Sequence, residues 1–142
     1  MTHFVYPVDL SRDRDGWYLV RFPDLPEALT SGESKAAALR EASDCLGEAL
    51  ASRLVHREGI PRPSPAKGRP TVAPPAVIAA KVALTEALRD AGMSNTAFAD
   101  ALGVQEGEVR RLLDPRHASK IGRLEAALAR LGKRLVVTVE AA

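Results

Sequence analysis

Residues 60–75, IPRPSPAKGRPTVAPP, hold six of the chain's ten prolines together with three basic residues. Proline locks one backbone dihedral and has no N–H to donate, so a run this dense opposes a helix and favours extended chain. The apolar pattern also changes across it. Upstream, segments of period two precede one helix; downstream, the period is helical until the final residues. The 142 residues therefore divide into a strand-and-helix part over 1–60, a linker over 61–75 and a helical part over 76–142. Within the linker, residues 69–73 are the one segment that reads as a short strand able to pair with the first sheet.

In the first part, residues 3–10 (HFVYPVDL) place Phe4, Tyr6, Val8 and Leu10 on one face. Pro7 predicts an edge strand or a bulge there. Arg12 to Gly16 form a polar turn, and Trp17 to Phe22 (WYLVRF) return as the second strand of a hairpin. Glu27 to Ser31 add a short third strand. Ser34 is a good N-cap for a helix running to about Glu58. Its apolar stripe is Leu39, Ser43, Leu46, Leu50 and Leu54, flanked by Ala42 and Ala49. Two or three antiparallel strands with one apolar face need a cover, and this helix supplies it. Cys45 is expected to be a small buried apolar side chain, and a single cysteine excludes an internal disulfide framework.

In the helical part, Pro75 suits a first turn, and Val77, Ala80, Leu84 and Leu88 form a stripe that stops at Gly92. The window Asn95 to Asp114 (NTAFADALGVQEGEVRRLLD) reads as a helix-turn-helix. Ser94 or Asn95 caps its first helix, Thr96 to Leu102; Gly103 lets that helix stop, and Gln105 to Leu113 form the second. Phe98, Leu102, Val104, Val109 and Leu112 are its inward positions. Ser119 caps a fourth helix with Ile121, Leu124, Leu128 and Leu131 facing in. The last element, Arg134 to Glu140, alternates as a strand with Leu135, Val137 and Val139 on one face and Val136 on the other. A lone apolar strand is an aggregation hazard unless covered, so it predicts pairing with the same strand of a second copy, or else docking onto the first sheet.

The formal charge of +2 is unevenly spread. Residues 1–60 carry 7 Lys/Arg against 10 Asp/Glu, and residues 61–142 carry 13 against 8. A basic second half behind an acidic first half suits an anionic partner such as duplex DNA. In that reading Gln105, Glu106, Arg110 and Arg111 occupy the start and outer face of the second helix of the window. Gln105 and Arg110 are the base-reading candidates, because arginine pairs bidentately with guanine and glutamine with adenine. Thr96, Arg116, His117, Ser119 and Lys120 are candidates for phosphates. No apolar run reaches the ~18 residues that span a bilayer, and the N-terminal residues lack a signal-peptide pattern, so a cytoplasmic location is expected.

The apolar hairpin followed by FPDLPEALTSGES (Phe22 to Ser34) and an alanine-rich helix, then the window and RLLDPRHASKIGRLEAALARLGKRLVVTV, resemble the HicB antitoxin family. The subclass is the one with a C-terminal helix-turn-helix of the Cro/repressor kind. The resemblance covers almost the whole chain. It implies an α+β fold: a reduced ribonuclease-H-like antiparallel sheet plus helix, then an all-α helix-turn-helix domain ending in a dimerising strand. It also implies a partner, a HicA-like toxin that cleaves messenger RNA. The first domain would cover the toxin's active site. As a homodimer or higher oligomer, the second would bind operator DNA and repress the shared operon. Trp17, Tyr18, Asp24, Leu25 and Glu27 are the candidate toxin contacts, and Leu135, Val136, Val137 and Val139 the candidate dimer contacts. The alternative is a free-standing transcriptional regulator whose first domain senses a small molecule.

Catalysis is not expected. Ribonuclease-H chemistry needs carboxylates converging on two metal ions about 4 Å apart. The candidates Asp9, Asp13, Asp15 and Asp24 fall on a strand, a hairpin turn and a strand-ending loop. His3, His56 and His117 lie on separate elements without ligand spacing, so neither a metal nor another cofactor is expected.

Overall fold

The computed structural model describes residues 1–141. The fold is α+β, with antiparallel sheets and five helices, and it forms two compact units, Met1–Ala79 and the residues from Ala80 onward.

In the first unit the N-terminal segment makes two strands, β1 (Tyr6–Pro7) and β2 (Asp9–Arg12), where one was expected over 3–10. The break at Val8 has a physical cause. Pro7 offers no N–H, and the chain changes partner there: β1 pairs with β5 (Thr71–Val72), whereas β2 pairs with β3 (Tyr18–Arg21). The Val8 N–H donates to Pro70 O at 2.9 Å across the junction. β4 (Leu29–Gly32) completes a three-stranded antiparallel sheet of order β2-β3-β4. The hairpin turn is held by Asp13, whose carboxylate accepts from the N–H groups of Asp15 and Trp17, each at 2.9 Å.

Helix α1 (Lys35–Val55) begins as expected, the Ser34 hydroxyl accepting from Ala37 N–H at 3.1 Å. It packs on β3 and β4. Its buried line is Ala38, Ala42, Leu46, Ala49 and Leu50; Leu39, Ser43 and Leu54 are only half-buried, so the stripe runs closer to the alanines than expected. Alanine lets the helix lie close to the sheet, with Leu46 and Leu50 kept in the buried line and Leu39 and Leu54 at its margins. Cys45 is likewise half-buried, its thiol pushed up from its ordinary pKa by burial.

The proline-rich segment lies on this unit. Tyr6 donates its hydroxyl to Pro61 O at 2.7 Å, and Ser43 donates to Ala73 O at 2.7 Å. Ser64 bonds the Asp24 carboxylate through both its N–H and its hydroxyl. Arg69 reaches Asp9 at 3.5 Å. Gly47 makes the close approach possible, since a Cβ there would stand 2.9 Å from Pro75 Cδ. β5 falls inside the 69–73 segment read as a short strand.

Docking of this segment revises the charge balance. Counted by unit, Met1–Ala79 carries 10 Lys/Arg and 10 Asp/Glu, because Arg62, Lys67 and Arg69 belong with it. Residues 80–142 carry 10 against 8. The asymmetry between halves is therefore much smaller than the division at residue 60 suggested.

The second unit is helical. α2 (Ala76–Asp90) crosses the division between the units and contributes Ala80, Val82, Leu84 and Leu88 to the second core. α3 (Asn95–Leu102) is capped by Ser94, whose hydroxyl accepts from Ala97 N–H at 3.0 Å. It ends at Gly103, held at φ +71, where an L side chain is strained. α4 (Glu106–Leu113) follows after Gln105, and α5 (Ile121–Arg130) after Lys120. Phe98, Val109, Leu112, Leu124 and Leu128 are buried. Four inward expectations fail: Val104 and Ile121 are 36% and 40% exposed and Leu102 and Leu131 are half-buried, because each sits at a helix end beyond the packed turns. Ser119 does not cap α5; its hydroxyl is engaged elsewhere.

Residues 133–141 form neither strand nor helix in the single chain, and no strand of either sheet pairs with them. The expected strand at 134–140 thus has no ladder here. Val136, Val137 and Val139 stand 56%, 72% and 92% exposed, and Leu135 is half-buried. No described helix is long and apolar enough to cross a membrane.

Candidate functional sites

The outer face of α4 is the most highly organised polar surface of the second unit. Val109 and Leu112 anchor the helix inward, which turns Arg110 and Arg111 to solvent. Each arginine is paired with a carboxylate one turn earlier. Arg110 Nε donates to Glu106 at 2.8 Å (i, i+4), and an Arg111 terminal N–H donates to Glu108 at 2.8 Å (i, i+3). Glu108 also accepts from Arg123 of α5 at 2.8 Å. The Arg111 bond, followed by the nearby charges of Arg111, Arg123 and His117, holds the Glu108 carboxyl below its usual range. Carboxylates in the first turn and arginines in the last also complement the helix dipole.

Behind this face lies Lys81, the one fully buried charged residue among those described. Its ammonium donates to Arg111 O at 2.9 Å, Asp114 O at 2.8 Å and the Ser119 hydroxyl at 2.8 Å. Three donors meet three acceptors, so the burial is compensated. Burial still lowers its pKa, and the charge of Asp114 opposes that shift. The acceptors lie at the end of α4 and in the loop to α5. Lys81 therefore fixes the segment that carries Arg116, His117 and Lys120.

Of the residues singled out for DNA, Thr96, Gln105, Arg110, Arg111, Arg116, His117 and Lys120 are exposed, and Glu106 is half-buried in its ion pair. Ser119 is half-buried, its hydroxyl taken by Lys81 and near His117 Nδ1 at 3.2 Å. Sequence reasoning missed Arg123 and Lys81. Lys81 had a signal: it sits four residues after Val77 and three before Leu84, on the buried stripe of its own helix. Arg123 had none, since only the tertiary placement of α5, which packs on α3, brings it to Glu108.

A second surface lies on the first unit. Strand alternation places Val20 toward α1 with its cross-strand partners Leu10 and Thr30, and turns Leu19 and Arg21 the other way. That outer face carries Leu19, half-buried, and Leu29, 56% exposed; Trp17, 41% exposed, continues it beyond the strand. Tyr18 is on the Val20 side, with the Arg12 guanidinium 5.0 Å from its ring centre. Leu25 is wholly buried, which gives it a core role and leaves no surface for a partner. Asp24 is held by Ser64. Glu27 is clamped by Arg53 through two bonds, at 2.6 and 3.0 Å, which hold its carboxyl below the ordinary range. Leu29 was not among the sequence candidates. Among the described residues no group of three His, Cys, Asp or Glu side chains could hold a metal ion.

Comparison with known proteins gives these surfaces a family context. Residues 5–83 match the family model described as a HicB-like antitoxin of bacterial toxin–antitoxin systems. Antitoxin HicB 2 of Photorhabdus laumondii is 42% identical over 130 residues, which is 92% of this chain and 92% of that protein. Antitoxin HicB 1 of the same organism is 36% identical over 135 residues, 95% of this chain and 86% of that one. Antitoxin HicB of Escherichia coli K12 is 37% identical over 131 residues, 92% and 95% of the two chains. The match extends through both units, and the chain belongs to the HicB-like antitoxin family of bacterial toxin–antitoxin systems.

Proposed function

We propose that this antitoxin works through two separate binding surfaces and performs no catalysis. The first unit, built as a reduced ribonuclease-H-like sheet and helix, sequesters a HicA-like toxin by covering its active site. The second, through α3 and α4 as a helix-turn-helix, binds the operator of its own operon as a dimer and represses it in the cytoplasm. The domain division proposed is residues 1–60 for toxin binding, 61–75 as the connecting segment and 76–142 for DNA and dimer contacts.

One observation carries the DNA half of this reading. α4 buries Val109 and Leu112 and turns Gln105, Arg110 and Arg111 outward, with Arg116, His117 and Lys120 in the loop beyond it. A short helix with an amide and two guanidiniums on its free face suits the major groove, where those groups match adenine and guanine edges. The loop cations suit the flanking phosphates. The exposed valines of residues 136–139 support a second copy as partner, since pairing them covers apolar surface and brings two α4 helices to one DNA. For the toxin, Trp17, Leu19 and Leu29 put apolar side chains among the polar Ser11, Arg21 and Ser31 on the sheet face turned away from α1, and large aromatic side chains are common anchors of interfaces.

The test is direct. Purified full-length protein is titrated by fluorescence anisotropy onto a duplex from the promoter of its own operon and onto a scrambled duplex, and is co-expressed with the adjoining reading frame. Tighter binding to the promoter and relief of the neighbour's toxicity are expected. Equal binding to both duplexes with unrelieved toxicity sinks the proposal.

A further inference from the structure

The proposed DNA-reading face has few uncompensated cations. Arg110, Arg111 and Arg123 each hold a carboxylate at 2.8 Å, and the two carboxylates involved are Glu106 and Glu108. Glu108 bridges two helices, taking Arg111 on one oxygen and Arg123 on the other. The side chains of Arg110, Arg111 and Arg123 are 69%, 50% and 60% exposed, whereas that of Glu108 is only 27% exposed. The acids thus sit below the arginines, like footings. Such an arrangement is costly if the only purpose of the face is to attract phosphates, because a carboxylate near the backbone repels it and weakens sequence-independent binding.

It makes sense if the purpose is discrimination. Arg110 is bonded to Glu106 through Nε, which fixes its guanidinium plane and does not use the terminal N–H groups with which arginine reads a guanine edge. Any DNA offers phosphates, but only the matching base offers two acceptors in that plane. Resting on the proposed operator binding, we infer that Glu106 and Glu108 are specificity-determining residues: Glu106 holds Arg110 in reading orientation, and both carboxylates cancel the pull of the arginines on the DNA backbone. The chain then binds weakly to arbitrary sequence and tightly where the base edges fit.

The experiment uses Glu106→Gln, Glu108→Gln and the double variant in the full-length protein, since glutamine keeps the shape and removes the charge. Anisotropy titrations against the promoter duplex and a scrambled duplex of equal length are run over a series of salt concentrations. Affinity for the scrambled duplex is expected to rise by about fivefold per variant, the upper range for an exposed ion pair. The magnitude of its salt slope should grow by roughly one for each additional phosphate neutralised. Promoter affinity should change less, so the preference falls. Circular dichroism melts identify any variant that unfolds, and Glu106→Ser or Glu108→Ser then replaces it. If wild-type protein prefers its promoter and the variants keep the same preference, the inference is overturned while the operator reading stands. If wild-type protein shows no preference, both fall.

Discussion

The ammonium of Lys81, on α2, donates to the carbonyl oxygen of Asp114 at 2.8 Å, so a charge buried in the helical core holds the end of α4. Together with the bonds to Arg111 O and the Ser119 hydroxyl, it supplies the positive group that a helix C-terminus favours. Replacing it by the similarly shaped Lys81→Met leaves part-buried acceptors without that donor, a cost of about 1–3 kcal/mol for each group that water does not reach. The helical unit of that variant is expected to melt well below wild type in calorimetry, with the toxin capture proposed for the first unit retained. An unchanged melt would show that water replaces the ammonium at no cost.

Glu27 and Arg53 predict acid sensitivity in the first unit. The folded pKa of Glu27 lies below the ordinary 4.5 because Arg53 bonds its charged form. A depressed carboxyl pKa means the unfolded chain binds its proton first, so the contribution is present above about 4.5 and is lost as pH falls through the folded value. Denaturation midpoints measured from pH 7 to pH 3 should fall less steeply for Glu27→Gln than for wild type. Parallel curves would remove the pair from the account.

The sheet face around Trp17 and Leu29 should matter more for capture than for folding, since the two residues are 41% and 56% exposed. Leu29→Ser is expected to shift the melting curve slightly and Trp17→Ala further, through its buried part, and both to weaken toxin binding at least tenfold, as the loss of an interface anchor of about 2 kcal/mol does. Isothermal titration with the adjoining toxin reads this out. Wild-type affinity in both variants would place the toxin elsewhere.

For the C-terminal residues, Val137→Asp introduces a charge where 72% of the residue meets solvent in the single chain. Folding should be indifferent. If a second copy covers this segment, the variant becomes monomeric in light scattering and its promoter affinity drops; a persistent dimer points to another interface.

Much of the fold was legible in the residues themselves. The Ser34 and Ser94 caps, the Gly103 stop and the inward set Phe98, Val109 and Leu112 follow from local rules, because a cap or a 3.6-residue stripe depends only on neighbours a turn away. The polar face of α4 followed from the same periodicity. Long-range placement was not legible. Composition marked residues 61–75 as extended chain, and 69–73 as a short strand able to pair with the first sheet, but not the bonds from Tyr6, Ser43 and Asp24 that hold the segment on the first unit and change the charge balance of both units. Nor could spacing show that Leu25 closes a core, or that Arg123 meets Glu108 across two helices. Sequence alone determined the helices, the Trp17–Phe22 strand and most of the faces that seek burial, but not the break at Val8 or the lack of a ladder at 134–140. The tertiary structure decided which surfaces stay open and which charges neutralise one another, because those depend on contacts between residues far apart in the chain, whose pairing no local pattern encodes.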